Sequence, residues 1–251
     1  DLNGDGANDL LGRDGSGRLY VALGNGAGAL AAPVPLSAGW DYFNALVVTR
    51  DFNRDGTTDL ICRSADGSLY LYAGLGEGRY VNWGIIGTGF AGATAILAPG
   101  DFSGDGLPDL IARGSDGRLS LFKNNGASGL VNGTQIGTGF AAMTAMITPG
   151  DFSGDGRVDL IARAADGTLK LFKGNGAGAF APGPYPTIGT GWGPFTAIVG
   201  VGDLNGDGRA DLVARTSAGN LTLYKGNGAS GFLPAPYPTV AAGWNVMNIL
   251  S

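Results

Sequence analysis

Apolar and polar positions fall in short bursts along this chain, and no window carries the i, i+3, i+4 spacing of a long helix. One kind of burst is apolar at adjacent positions, as in Asp109-Leu-Ile-Ala-Arg113, the pattern of a strand covered on both faces. The next kind alternates, as in Leu119-Ser-Leu-Phe-Lys123, Leu169-Lys-Leu-Phe-Lys173 and Leu221-Thr-Leu-Tyr-Lys225. Between the two stand Asp66-Gly67, Asp116-Gly117 and Asp166-Gly167, and Asp-Gly between apolar runs is a hairpin signal. A Gly-Asn-Gly-Ala turn follows, as at Gly174 to Ala177. Then comes a proline-bearing segment such as Ala181 to Thr187, suited to an outer edge strand because proline cannot donate to a ladder. A last apolar run, such as Phe195 to Val201, ends the unit. The pattern predicts four short strands per unit.

The unit recurs. Asp1-Leu-Asn-Gly-Asp-Gly-Ala-Asn-Asp9 returns as Asp51 to Asp59, Asp101 to Asp109, Asp151 to Asp159 and Asp203 to Asp211. These starts lie 50, 50, 50 and 52 residues apart and divide a single domain, 1–251, into repeats 1–50, 51–100, 101–150, 151–202 and 203–251. Four strands in each repeat of this length make a propeller blade. The expected fold is all-β: a five-bladed β-propeller with four-stranded antiparallel blades. Residues 244–251 match Trp40 to Val47, the run that precedes an acidic loop, and the N-terminus lacks such a run. The C-terminal strand is therefore expected to join the N-terminal blade and close the ring, leaving no long edge exposed. An open arc that closes by dimerisation is the alternative.

Composition narrows the picture. The 48 glycines follow no three-residue period and belong instead to the repeated turns. A chain 44% hydrophobic and 15% charged has material for a core. It contains no run of eighteen apolar residues, so no membrane insertion is expected, and no signal segment opens it. Cys62 is the only cysteine, and the matching positions hold Gly12, Ala112, Ala162 and Ala214, which marks it as a small buried filler. A net charge of −5 leaves no basic stripe for nucleic acid. Five bound divalent cations would reverse that sign, which keeps an anionic glycan open as a partner.

The acidic loops are the candidate chemistry. Ca2+ takes six to eight oxygen ligands, and each loop offers side-chain oxygens at positions 1, 3, 5 and 9 with a backbone carbonyl at position 7. The candidate ligands are Asp1, Asn3, Asp5, Ala7 and Asp9; Asp51, Asn53, Asp55, Thr57 and Asp59; Asp101, Ser103, Asp105, Leu107 and Asp109; Asp151, Ser153, Asp155, Arg157 and Asp159; and Asp203, Asn205, Asp207, Arg209 and Asp211. About five Ca2+ ions are expected, one per repeat, with weaker sites where Ser103 and Ser153 replace asparagine. One such loop alone reads equally well as an Asx-rich turn, but three clustered carboxylates repeated five times repel one another unless a cation joins them. An EF-hand is excluded: position 12 holds Gly12, Cys62, Ala112, Ala162 or Ala214 instead of glutamate, and a strand follows.

Through the motif Asp-x-[Asn/Ser]-x-Asp-Gly-x-x-Asp-Leu, all five repeats resemble the FG-GAP/VCBS repeat family. That resemblance implies a Ca2+-binding β-propeller of the kind found in secreted proteins, in lectins and in the integrin head, with the metal roles at the positions above. The family's Phe-Gly element is not evident. The Gly-Ala-Pro element survives in part, as Ala98-Pro99-Gly100 and Pro149-Gly150, so integrin-like partner binding is not implied.

The acidic inventory argues against an enzyme. The loops hold fifteen of the 21 acidic residues, and Asp66, Asp116 and Asp166 are turn residues, leaving Asp14, Asp41 and Glu77 in unrelated repeat positions. No carboxylate pair remains for glycoside hydrolysis, and the chain has no histidine to serve as general base. A Ca2+-assisted polysaccharide lyase with a Lys or Tyr base stays a minor alternative.

For a binding module, one aromatic column stands out. Trp40, Phe90, Phe140 and Trp192 sit eleven residues before the next loop, with Trp244 in register, and each is followed four residues on by Asn44, Thr94, Thr144, Thr196 or Asn248. Aromatic faces stack on sugars, so Trp40, Phe90, Phe140, Trp192, Trp244, Asn44 and Asn248 are candidate ligand contacts at several equivalent sites between blades, against the simpler reading that the rings pack between blades. Tyr80, Trp83, Tyr185 and Tyr237 lie outside that register. A second column, Arg13, Arg63, Arg113, Arg163 and Arg215, reads first as a partner of loop carboxylates or turn carbonyls and second as a reader of acidic sugars. The expectation is a secreted, extracellular Ca2+-binding module for a glycan or polysaccharide. A protein-interaction scaffold, or an accessory domain of a larger exported protein, is the alternative.

Overall fold

Each acidic loop releases the chain into a strand that is apolar on both faces, and a computed structural model shows where those faces go. It describes residues 1–127 and 129–251. The first three strands, β1 (Leu10–Asp14), β2 (Leu19–Ala22) and β3 (Val34–Pro35), form most of one sheet. Then β4 (Phe43–Thr49), β5 (Asp59–Ser64), β6 (Leu69–Gly74) and β7 (Tyr80–Gly87) make the second. The third holds β8 (Ala93–Gly100), β9 (Asp109–Gly114), β10 (Leu119–Phe122) and β11 (Thr134–Gly137). The fourth holds β12 (Ala145–Gly150), β13 (Asp159–Arg163), β14 (Leu169–Phe172) and β15 (Thr187–Gly189). The fifth holds β16 (Ala197–Gly202), β17 (Asp211–Arg215), β18 (Leu221–Tyr224) and β19 (Thr239–Ala241), and β20 (Met247–Leu250) returns to the first sheet.

The fold is a five-bladed β-propeller with four antiparallel strands per blade. Strand β20 pairs with β1 in the register Gly12↔Leu250 and Arg13↔Ile249, and Leu11 and Ser251 exchange both backbone hydrogen bonds at 2.8 and 2.9 Å. The ring therefore closes within one chain, as the sequence match of residues 244–251 implied. A blade starts one strand before its acidic loop, so blades and sequence repeats are offset by that strand.

The core is divided among the blade junctions. Five apolar clusters lie between adjacent sheets; one joins Leu10 and Trp244 of the first blade to Val213, Leu221 and Leu223 of the fifth. Burial from both sides explains why Asp-Leu-Ile-Ala-Arg is apolar at adjacent positions: Leu110 and Ile111 are fully buried on opposite faces of β9. In blade one Pro35 sits in the outer edge strand β3, as expected, but in blade four the proline segment takes a different place. Ala181 to Pro186 precedes β15 outside any strand; Ala181 donates to the Lys173 carbonyl and the Pro186 carbonyl accepts from Leu171, while the prolines supply no ladder donors. Helical structure among the described residues is limited to 3-10 turns at Trp40–Tyr42, Phe140–Ala142 and Trp244–Val246, and no helix is long and apolar enough to cross a membrane.

Candidate functional site

Each acidic loop is wound by its own backbone amides. The first-position carboxylates (Asp1, Asp51, Asp101, Asp151, Asp203) accept the sixth-position glycine N–H at 2.6 to 2.9 Å. The fifth-position carboxylates (Asp5, Asp55, Asp105, Asp155, Asp207) accept the seventh-position N–H at 2.8 to 3.1 Å. This winding needs a left-handed residue at position six, and the five glycines there have φ of 81 to 92°.

The ninth-position aspartates do something else. Asp59, Asp109, Asp159 and Asp211 are wholly buried. One carboxylate oxygen receives the second-position N–H, as from Phe52 to Asp59 at 2.8 Å and from Leu204 to Asp211 at 3.2 Å. The other receives an N–H from the end of the third strand: Gly24 to Asp9, Gly74 to Asp59, Gly174 to Asp159 and Gly226 to Asp211, at 2.9 to 3.1 Å. A Cβ at Gly74 would stand 2.2 Å from the Thr58 carbonyl, so glycine is required for that approach. Blade three carries Asn124 instead; its side chain donates to the Phe52 carbonyl at 2.8 Å, and Asp109 Oδ1 is left without a partner. Burial pushes these four carboxyls above the ordinary aspartate value, Asp211 to about 6.

Turned to these amides, no three acidic side chains form one cluster among the described residues. The donor set nonetheless fits a hard cation: every candidate ligand atom is an oxygen. At position three, Ser103 and Ser153 bury hydroxyls that have no hydrogen-bond partner, where Asn3, Asn53 and Asn205 accept the fifth-position N–H.

The aromatic column lies inside. Trp40, Phe90, Phe140, Trp192 and Trp244 are all buried, the last completely, within the clusters between blades. The expectation that they stack on sugars is corrected on that ground: their faces are already covered by neighbouring side chains, as Trp40 is by Tyr72 at 4.7 Å and Tyr80 at 6.0 Å. Asn44 and Asn248 are likewise engaged, accepting from Arg63 and Arg13.

The arginine column explains both. Arg113 Nε donates to Thr94 of its own blade at 2.8 Å, while Nη1 reaches the carbonyls of Phe140 (3.2 Å) and Met143 (2.7 Å) at the start of the next. Arg13, Arg63, Arg163 and Arg215 repeat the same clasp. Each guanidinium ties two blades through turn carbonyls, the first of the two readings above.

Two concave places stand out among the described residues. One, of about 390 Å3, lies on the axis among the ends of the inner strands, beside Thr49, Arg50, Pro99 and Thr148. The other, of about 320 Å3, is a groove between blades one and two, walled by the first two acidic loops and by the turn before β7. Asn3, Gly4, Thr57, Thr58, Arg79 and Tyr80 line it. Tyr80 lies outside the aromatic register; the signal that singles it out is a hydroxyl where other repeats are purely apolar, and burial pushes its phenol well above the ordinary value. Exposed aromatics also gather on blade two, at Tyr42 and Trp83.

The sequence profile described as the FG-GAP-like repeat matches residues 1–62, 51–112, 101–162 and 151–214. Among solved structures, an Agrocybe aegerita lectin, described as specifically recognising non-reducing terminal N-acetylglucosamine, aligns over 98% of this chain and 66% of its own at 22% identity and a TM-score of 0.56. The BP39L lectin from Burkholderia pseudomallei aligns over 96% of this chain and 69% of its own at 20% identity and a TM-score of 0.52. At such identities the likeness is one of fold, and this chain spans about two thirds of each neighbour's length. No curated protein matches by sequence.

Proposed function

This chain belongs to the FG-GAP-like repeat family, and from that premise we propose that it is a non-catalytic, calcium-stabilised module that binds carbohydrate outside the cell. The groove between blades one and two carries the reading. Its walls are glycine-rich, so a ring can approach backbone donors and acceptors closely, and its volume of about 320 Å3 sits at the small end of ligand pockets. The lectin fold of its structural neighbours points the same way.

Calcium and ligand are coupled in this reading because the candidate metal loops are also the groove's walls: Asn3 and Gly4 come from the first, Gly56, Thr57 and Thr58 from the second. When bound, Ca2+ offsets the loop carboxylates and stiffens those walls. Asp1 is the only acidic side chain among the described residues lining the groove, so the two-carboxylate chemistry of glycosidases has no footing there.

A glycan and polysaccharide array, read in millimolar Ca2+ and again in EDTA, tests the proposal. Binding that is lost in EDTA supports it; no binding by folded, Ca2+-loaded protein removes it. Exposed Tyr42, Trp83 and Ile85 on blade two favour a protein contact as the second reading, and pull-downs would then follow.

A further inference from the structure

The dipeptide Asn-Gly occurs seven times in this chain, at Asn3, Asn25, Asn125, Asn132, Asn175, Asn205 and Asn227. In six of the seven the pair builds a turn, and the glycine that follows is left-handed, with φ of 62 to 81°. The side-chain oxygen is tied at all six. Asn25, Asn125, Asn175 and Asn227 each accept two backbone N–H groups at 2.8 to 3.1 Å. Asn3 and Asn205 accept the fifth-position loop N–H at 3.0 and 2.9 Å. Asn132 differs on each count. It is exposed, between Leu130 and β11, and among the described residues its side chain makes no hydrogen bond. Gly133 is not left-handed, and its N–H is likewise unengaged. Glycine stands there for another reason: a Cβ would lie 2.6 Å from the Phe122 ring.

We infer that Asn132 is a site of covalent self-modification, the cyclisation that turns an asparaginyl–glycyl link into aspartyl and isoaspartyl links. Asparagine is a heat-labile residue, and a following glycine leaves the attacking nitrogen unshielded by any side chain. The Gly133 nitrogen gives up its proton and bonds to Asn132 Cγ. The Cγ–Nδ2 bond breaks, and ammonia leaves with that proton. Water then opens the ring, so the net change is water in and ammonia out, with nothing oxidised or reduced. Opening at Cγ leaves aspartate. Opening at the main-chain carbonyl leaves isoaspartate, whose main chain is longer by one carbon just ahead of the Thr134↔Leu121 pair. Either product adds one negative charge to the −5 of the chain, beside the outer edge strand of blade three. The reaction requires the side-chain carbon to swing onto the next nitrogen. At the six turns that swing must first break the bonds that hold the asparagine oxygen, whereas at Asn132 none stands in the way. The site is independent of the carbohydrate reading.

The test is to hold the folded chain in warm, mildly alkaline buffer made with heavy-oxygen water and to follow each Asn-Gly peptide by mass spectrometry. The same chain unfolded in guanidinium chloride, and the folded variant Asn132→Gln, run beside it. The expected result is label entering residue 132 first, at a rate about tenfold or more above that at Asn25, Asn125, Asn175 and Asn227, since two hydrogen bonds must open at each of those turns. In guanidinium chloride the turns are gone, and the seven sites should react at similar rates. Asn132→Gln should remove the early acidic product seen in isoelectric focusing. Label spread evenly over the seven sites of the folded chain would overturn the inference, because the turns would then protect nothing. A residue 132 that stays intact in the folded chain while reacting in guanidinium chloride would overturn it too, by showing that the fold holds this segment closed. So would an early acidic product that persists in Asn132→Gln.

Discussion

Replacing Asp59 with alanine separates the two jobs that a ninth-position aspartate can hold. Its carboxylate is fully buried and accepts N–H groups from Phe52 at 2.8 Å, Asn53 at 3.2 Å and Gly74 at 2.9 Å. It thereby pins the acidic loop to the end of the third strand of the same blade. Alanine strands three donors, two of them buried and that of Asn53 partly buried. Each costs about 1–3 kcal/mol when left unpaired, and water entry and relaxation recover part of that, so the expected loss is about 3–5 kcal/mol. Against the 5–15 kcal/mol typical of domains, the variant folds but unfolds at a markedly lower urea concentration. Asp59→Asn keeps one acceptor oxygen and loses less. The assay is equilibrium urea unfolding followed by tryptophan fluorescence, in EDTA and in Ca2+. The carboxylate's grip on backbone amides needs no metal, so the loss appears in EDTA as well. If Asp59→Ala matches the native chain in EDTA and falls behind only in Ca2+, the staple argument is wrong and the carboxylate acts only through the ion.

Other outcomes follow from the same geometry. Arg113→Gln removes the guanidinium fork across blades three and four, and a loss of about 1–2 kcal/mol is expected in urea melts, with Thr94→Val giving a smaller one; no change for either would refute the clasp. Asp14 accepts from the Ser16 hydroxyl, from backbone N–H groups of Arg18 and Ser16 and from Tyr20, and these hold its pKa down to about 2. Because the folded value is depressed, its stabilising contribution is complete above the ordinary aspartate value and disappears as pH falls through about 2. An NMR titration should place the midpoint there and move it upward in Ser16→Ala. Cys62 is buried and its thiol is pushed up by that burial, so a thiol reagent should modify it only at the rate of global unfolding.

Much of this architecture was readable in the residues. Period-two runs, Asp-Gly turns and the five-fold loop specify the blades, and the match between Trp40 to Val47 and residues 244–251 specifies the closing strand. What was not readable depends on which neighbour covers a given face. An aromatic column with a polar residue four positions on looks the same whether its rings meet sugar or the next blade; only packing shows that Trp244 is fully buried and that Asn248 answers Arg13. The ninth-position aspartate is similar. A carboxylate in a calcium motif and a carboxylate capping two backbone segments are the same letter, and the partner glycine fifteen residues away becomes meaningful once Gly74 is seen donating to Asp59.

The closing strand carries a consequence for the protein in concentrated solution. Strand β20 reaches β1 from the far end of the chain, and the last link is made by backbone bonds that any copy of Leu11 and Ser251 can form. A molecule whose first blade is still waiting for that strand presents the acceptor to other molecules as well as to itself. Refolding at high concentration therefore favours domain-swapped dimers, in which each ring is sealed by its partner's C-terminus, and dilution before refolding favours the monomer.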